Sequence, residues 1–109
     1  MKAHLSLYVS DIQASKDFYT RFLGLEPVKV KADYAKFELT DPAWVLSLVQ
    51  NPERVHAGFG HTGIVVENKE AVATWLDAVK ARGVKVALVE EQTRCCYALQ
   101  DKFWVHDPD

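Results

Sequence analysis

His4-Leu5-Ser6-Leu7-Tyr8-Val9 and His61-Thr62-Gly63-Ile64-Val65-Val66 are two versions of one pattern: a histidine, a variable residue, a small residue, then apolar residues. The first alternates polar and apolar side chains, the period of a half-buried strand. A helical pattern follows each. Ser10 and Asp11 offer capping oxygens, Ile12, Ser15, Phe18, Tyr19, Phe22 and Leu23 form a mainly apolar stripe, and Gly24 ends it. In the second half the spacing predicts a helix over Glu70–Arg82, with Val72, Trp75, Leu76 and Val79 on one face and Gly83 as its stop.

Short segments rich in strand formers complete the first half: Glu26–Lys31, Tyr34–Leu39 and Trp44–Gln50, parted by turn residues Ala32-Asp33 and Thr40-Asp41-Pro42. In the second half, strands are expected over His61–Glu67, Val84–Val89 and Tyr97–Trp104, the last two flanking a polar segment that carries both cysteines. A repeat inside so short a chain implies that neither half buries its sheet face alone, so each packs on the other. The reading is an α+β fold: one domain over residues 1–109, built from two βαβββ modules. Module one covers about 1–50, a connector about 51–60 and module two about 61–109. By analogy with the first half, one more strand is expected after residue 109.

The chain has 109 residues, enough for a single core. Apolar residues make up 49% and charged residues 26%, with a formal net charge of −2. That balance gives no basic footprint for nucleic acid. No apolar run approaches the about 20 residues of a membrane helix, and the N-terminus has no signal-peptide pattern. The expected compartment is the cytoplasm, with no nucleic-acid or membrane partner.

Four histidines occur: His4, His56, His61 and His106. A strand histidine is more often a surface or hydrogen-bonded residue than a ligand. The equivalent positions of His4 and His61 favour a shared role, because pseudo-symmetry lets two such side chains converge on one metal ion. His56, in the connector, reads as solvent-facing, and His106 as structural.

With Phe18-Tyr19-x-x-Phe22-Leu23-Gly24-Leu25, Gly58-Phe59-Gly60-His61 and Asp107-Pro108-Asp109, these histidines resemble the vicinal-oxygen-chelate superfamily of glyoxalases, bleomycin resistance proteins and dioxygenases. The resemblance covers the whole chain. It implies that the two modules pair into a curved mixed sheet around a divalent metal held by His4 and His61. A third ligand, a Glu, is expected on the strand after residue 109. Glyoxalase I-type members also place a Glu on the fourth strand, where this chain has Ser47, which argues against that branch. An open coordination position suits a non-haem iron centre.

The two cysteines, Cys95 and Cys96, are adjacent, which is not the spacing of a secreted disulfide framework. The bland reading is two small core residues. Against it stand the polar approach Glu90-Glu91-Gln92-Thr93-Arg94 and the strand rule that successive side chains face opposite ways. Adjacent thiols that share one ligand suit a soft, thiophilic centre such as trivalent arsenic. Arg94 and Lys102 are candidates to favour the thiolates.

The run from Cys95-Cys96-Tyr97-Ala98 through Gln100-Asp101-Lys102 to Asp107-Pro108-Asp109 is similar to ArsI-type carbon–arsenic lyases and to the cadmium-induced CadI proteins. That resemblance implies an Fe(II)-dependent dioxygenase that cleaves the C–As bond of trivalent organoarsenicals, such as methylarsenite, to inorganic arsenite. Its partners would be the arsenical and O₂. Cys95 and Cys96 would bind arsenic, on a mobile loop over about residues 90–97. Two alternatives remain open. One is a non-catalytic cadmium- or arsenic-binding resistance protein. The other is a further metal enzyme of the superfamily, such as an extradiol dioxygenase or a fosfomycin-modifying transferase. An exposed sheet edge would also invite pairing of two chains into a homodimer.

Overall fold

The alternation of the first segment becomes strand β1 (Ala3–Val9), with Val9 buried, Leu5 and Leu7 half-buried, and His4, Ser6 and Tyr8 exposed. The computed structural model describes residues 1–56, 60–95 and 98–109, and of residues 92–95 and 98–100 the backbone alone. The chain divides into two compact units, Met1–Ile64 with Asp107–Asp109, and Val65–His106.

In the first unit, helix α1 (Ile12–Leu23) starts where Asp11 accepts hydrogen bonds from the backbone N–H groups of Gln13 and Ala14, at 3.0 and 3.3 Å. This satisfies donors that helix geometry leaves orphaned. Strands β2 (Lys29–Lys31), β3 (Tyr34–Thr40) and β4 (Ala43–Gln50) follow. They form one mixed sheet in the order β1-β4-β3-β2, with β1 parallel to β4 and the other pairs antiparallel. One βαβββ module is therefore complete. Its core lies between α1 and one sheet face, where Phe37, Leu46 and Leu48 are fully buried and Phe18, Tyr19 and Leu23 cover them. The Tyr19 ring is 6.5 Å from that of Phe37.

The terminal Asp107-Pro108-Asp109 belongs to this unit. Tyr19 Oη donates to Asp107 Oδ2 at 2.7 Å, and the Ser10 backbone N–H donates to Asp109 Oδ2 at 3.0 Å. The Ser10 hydroxyl donates to the other oxygen of Asp109. Two motifs far apart in sequence, the helix-one tyrosine and the acidic turn, are thus bonded to each other.

The second unit holds helix α2 (Lys69–Ala81) and an antiparallel pair, β5 (Val86–Cys95) and β6 (Ala98–Val105). Asn68 caps α2 by accepting from Ala71 N at 2.8 Å. At the other end Gly83 takes φ 82°, Gly83 N bonds Lys80 O and Val84 N bonds Val79 O, both at 3.0 Å. Those two bonds define a Schellman stop, and the buried Val79 and Val84 give it the apolar contact that usually accompanies it.

Two expectations need correction. Residues 61–66 do not form a strand, and Val65 is 98% exposed. In the first unit β1 is held by β4, but the described strands after α2 pair only with each other, so none takes the part of β4 for this segment. A strand without a ladder partner leaves its backbone groups to water. The expected loop over 90–97 is also corrected for residues 90–95, which continue β5. Cross-strand bonds hold them: Glu90 Oε2 accepts from Trp104 Nε1 at 2.9 Å and pairs with Lys102 Nζ at 3.6 Å. Cys96 and Tyr97 lie outside the described residues.

Candidate functional site

The strand period that sends Leu46 and Leu48 into the core sends Val45, Ser47 and Val49 to the opposite face of the first sheet. The register sets Ser47 opposite Ser6 on β1 and Lys36 on β3. This face therefore carries His4, Ser6 and Tyr8 from β1, Ser47 from β4 and Tyr34 from β3. Across it, His4 Nε2 is 3.2 Å from Ser47 Oγ, and Tyr34 Oη is 3.2 Å from the same Ser47 oxygen. Ser47 is 4% exposed, so its hydroxyl depends on protein partners. At the far end of β1, Arg54 donates to Tyr8 Oη at 3.1 Å and sits 5.5 Å over its ring.

His4 is thus on the sheet face opposite the Leu46–Leu48 core, and it meets Ser47 there. Sequence reasoning picked out His4 and Ser47 separately and missed Tyr34, whose approach follows only from the β3–β4 register. His61 lies in the same compact unit and is exposed. His56 and His106 are exposed as well. Among the described residues no group of three or more His, Cys, Asp or Glu side chains is arranged to hold a metal ion. The imidazoles fit such an ion in kind. His4 Nε2 is engaged by a neutral hydroxyl, which a cation can displace at the cost of one ordinary hydrogen bond.

Of the two cysteines, Cys95 closes β5 opposite Ala98, within the second unit. Cys96 and the side chains of Cys95 and Arg94 are outside the described residues. Lys102 has partners other than the thiols: its ammonium faces Glu90 and lies 5.5 Å over the Trp104 ring. A cavity of about 330 Å³ lies between α2 and the β5–β6 pair, with Val72, Leu76 and Val89 among its apolar lining and Glu70, Glu90 and Lys102 among its charged residues. No helix among the described residues is long and apolar enough to cross a membrane.

The Tyr19 phenol is held far above its ordinary pKa, first by burial, then by its hydrogen bond to Asp107 and by the charges of Asp107 and Asp109. The Glu38 carboxyl is lowered by its hydrogen bond to Lys2 and by that ammonium's charge.

Comparison with known proteins bears on the family and the fold. The model of the glyoxalase/bleomycin resistance protein/dioxygenase superfamily matches residues 3–109. The chain is 45% identical over 107 residues to the trivalent organoarsenical cleaving enzyme of Bacillus sp. (strain MD1), covering 98% of this chain and 66% of that relative. It is 37% identical over 110 residues to the cadmium-induced protein CadI of Mycobacterium bovis, with 98% and 69% covered. The chain thus spans about two thirds of the length of these curated relatives. In fold it resembles a lactoylglutathione lyase of Agrobacterium tumefaciens, with a TM-score of 0.72 over 99% of this chain and 86% of that one at 21% identity.

Proposed function

Because the chain belongs to the glyoxalase/bleomycin resistance protein/dioxygenase superfamily, we propose that it takes part in cleaving the C–As bond of trivalent organoarsenicals, as an Fe(II)-dependent dioxygenase working in the reducing cytoplasm. The observation that carries this reading is the 45% identity to a trivalent organoarsenical cleaving enzyme over 98% of the chain. The adjacent thiols of Cys95 and Cys96 give it a chemical basis.

His4 and His61 would hold the metal. Fe(II), when bound there, supplies the centre at which O₂ is activated. Soft thiolates prefer trivalent arsenic to hard cations, so Cys95 and Cys96 are the substrate ligands. Each sulfur replaces one oxygen on arsenic: two As–S bonds form, two As–O bonds break, and the two thiol protons leave with the hydroxides as water. Holding the arsenical by two bonds fixes its orientation, which removes part of the entropic barrier to reaction. Ser47, in place of a carboxylate, keeps the His4 side of the site free of an added negative charge.

The 37% identity to a cadmium-induced protein supports a second reading, in which the same thiols sequester a soft ion without turnover. The two readings separate in variants. A Cys95→Ser/Cys96→Ser protein is expected to lose organoarsenical cleavage and retain Fe(II), while His4→Ala is expected to lose both. Loss of Fe(II) from the double-serine protein, seen by metal analysis after anaerobic desalting, would remove the thiols from the role assigned to them.

A further inference from the structure

We propose that Tyr34, acting through Ser47, is a positioning residue for His4 and sets how tightly the first sheet holds a divalent cation. The inference rests on the reading of His4 as a metal ligand, and it concerns a residue to which that reading gives no part.

Ser47 Oγ lies 3.2 Å from His4 Nε2 and 3.2 Å from Tyr34 Oη, and the residue is 4% exposed. Tyr34 is only half-buried, so its phenol reaches both Ser47 and solvent. A hydroxyl has one proton to give and can accept from others. In the tautomer that can bind a cation through Nε2, Ser47 donates to His4 Nε2 and, having spent its one proton, accepts from Tyr34. That arrangement puts the proton of the neutral imidazole on Nδ1 and leaves the Nε2 lone pair engaged only by the Ser47 proton, which a cation can replace.

A cation that takes Nε2 removes the acceptor of the Ser47 proton. A buried donor without a partner carries its full desolvation cost. Tyr34 Oη prevents this: Ser47 turns and donates to the phenol oxygen, and the phenol proton turns to water. Tyr34 therefore makes the exchange of hydroxyl for metal on His4 nearly neutral. Without the phenol oxygen, metal binding strands the Ser47 hydroxyl.

The test is a Co(II) titration of the full chain under anaerobic conditions, read by the visible absorption of the bound ion. Tyr34→Phe is expected to weaken binding about tenfold, at the low end of what a stranded buried hydroxyl costs. In a Ser47→Ala background, where no hydroxyl can be stranded, the same change is expected to alter affinity by less than about twofold. General loosening of the sheet would weaken both backgrounds alike, so an equal loss in the two, or no loss in either, overturns the proposal. His4→Ala, titrated in parallel, separates the premise from the inference. If it keeps Co(II), or if the parent chain binds none, the ligand reading falls and the proposal with it. If it loses Co(II) while Tyr34→Phe does not, the proposal alone falls.

Discussion

Tyr19 shows how one side chain can tie distant sequence together. Its ring is part of the first core, and its hydroxyl donates to Asp107, so the acidic turn at the end of the chain is fastened to the first helix. A hydrogen bond from a buried phenol to a carboxylate is worth about 1.5–3 kcal/mol. Tyr19→Phe should lower unfolding stability by about that amount, seen as an earlier urea midpoint with unchanged slope. The pH dependence has a definite sign. The folded phenol is raised above its ordinary value near 10, so its contribution is complete below that pH and is lost as pH climbs beyond it. The parent protein should lose urea resistance above about pH 10, and the phenylalanine variant should lose less over the same range. Equal losses would detach Tyr19 from that dependence. His4 and Ser47 belong to this scale too. Each was legible as a residue type at a telling position, the first by the repeat and the second by its place on the fourth strand. Their meeting was not, because β1 and β4 are parallel neighbours separated in sequence by α1, β2 and β3, and nothing local in the sequence fixes that register.

At the level of elements, local chemistry decided most of what formed. The stretch from β1 to β4 follows the alternation and capping written into it, because β3 buries one face and the period of two is enforced by that burial. The helix stops were also readable: Gly24 and Gly83 both take positive φ, at 71° and 82°. An alanine at position 83 meets no neighbouring atom, so the cost of Gly83→Ala is backbone strain alone. It should be about 1 kcal/mol, measurable as a small fall in thermal midpoint. No fall would mean that the Schellman geometry is not fixed in solution. What the sequence did not disclose is whether a strand-like segment finds a partner. The 61–66 segment copies the pattern of β1, yet among the described strands none pairs with it. The opposite error occurred at Glu90–Arg94, too polar for a buried strand but acceptable in a two-stranded pair, where Glu90 is answered by Lys102 and Trp104 across the ladder.

Over the whole molecule, the superfamily and the α+β class were legible because they rest on a repeat and on motifs that span the chain. The chemistry rests on fewer residues. His4 and His61 fall in one compact unit and Cys95 in the other, so the histidines and cysteines can be tested as separate functions. The central claim is that this chain helps to break a C–As bond and does not merely hold arsenic. The direct measurement is to load the protein anaerobically with Fe(II), add methylarsenite and O₂, and determine the arsenic species in solution and on the protein. Release of inorganic arsenite, absent when iron is omitted, is the predicted result. Methylarsenite recovered unchanged and bound in stoichiometric amount would contradict cleavage and assign the paired thiols to sequestration.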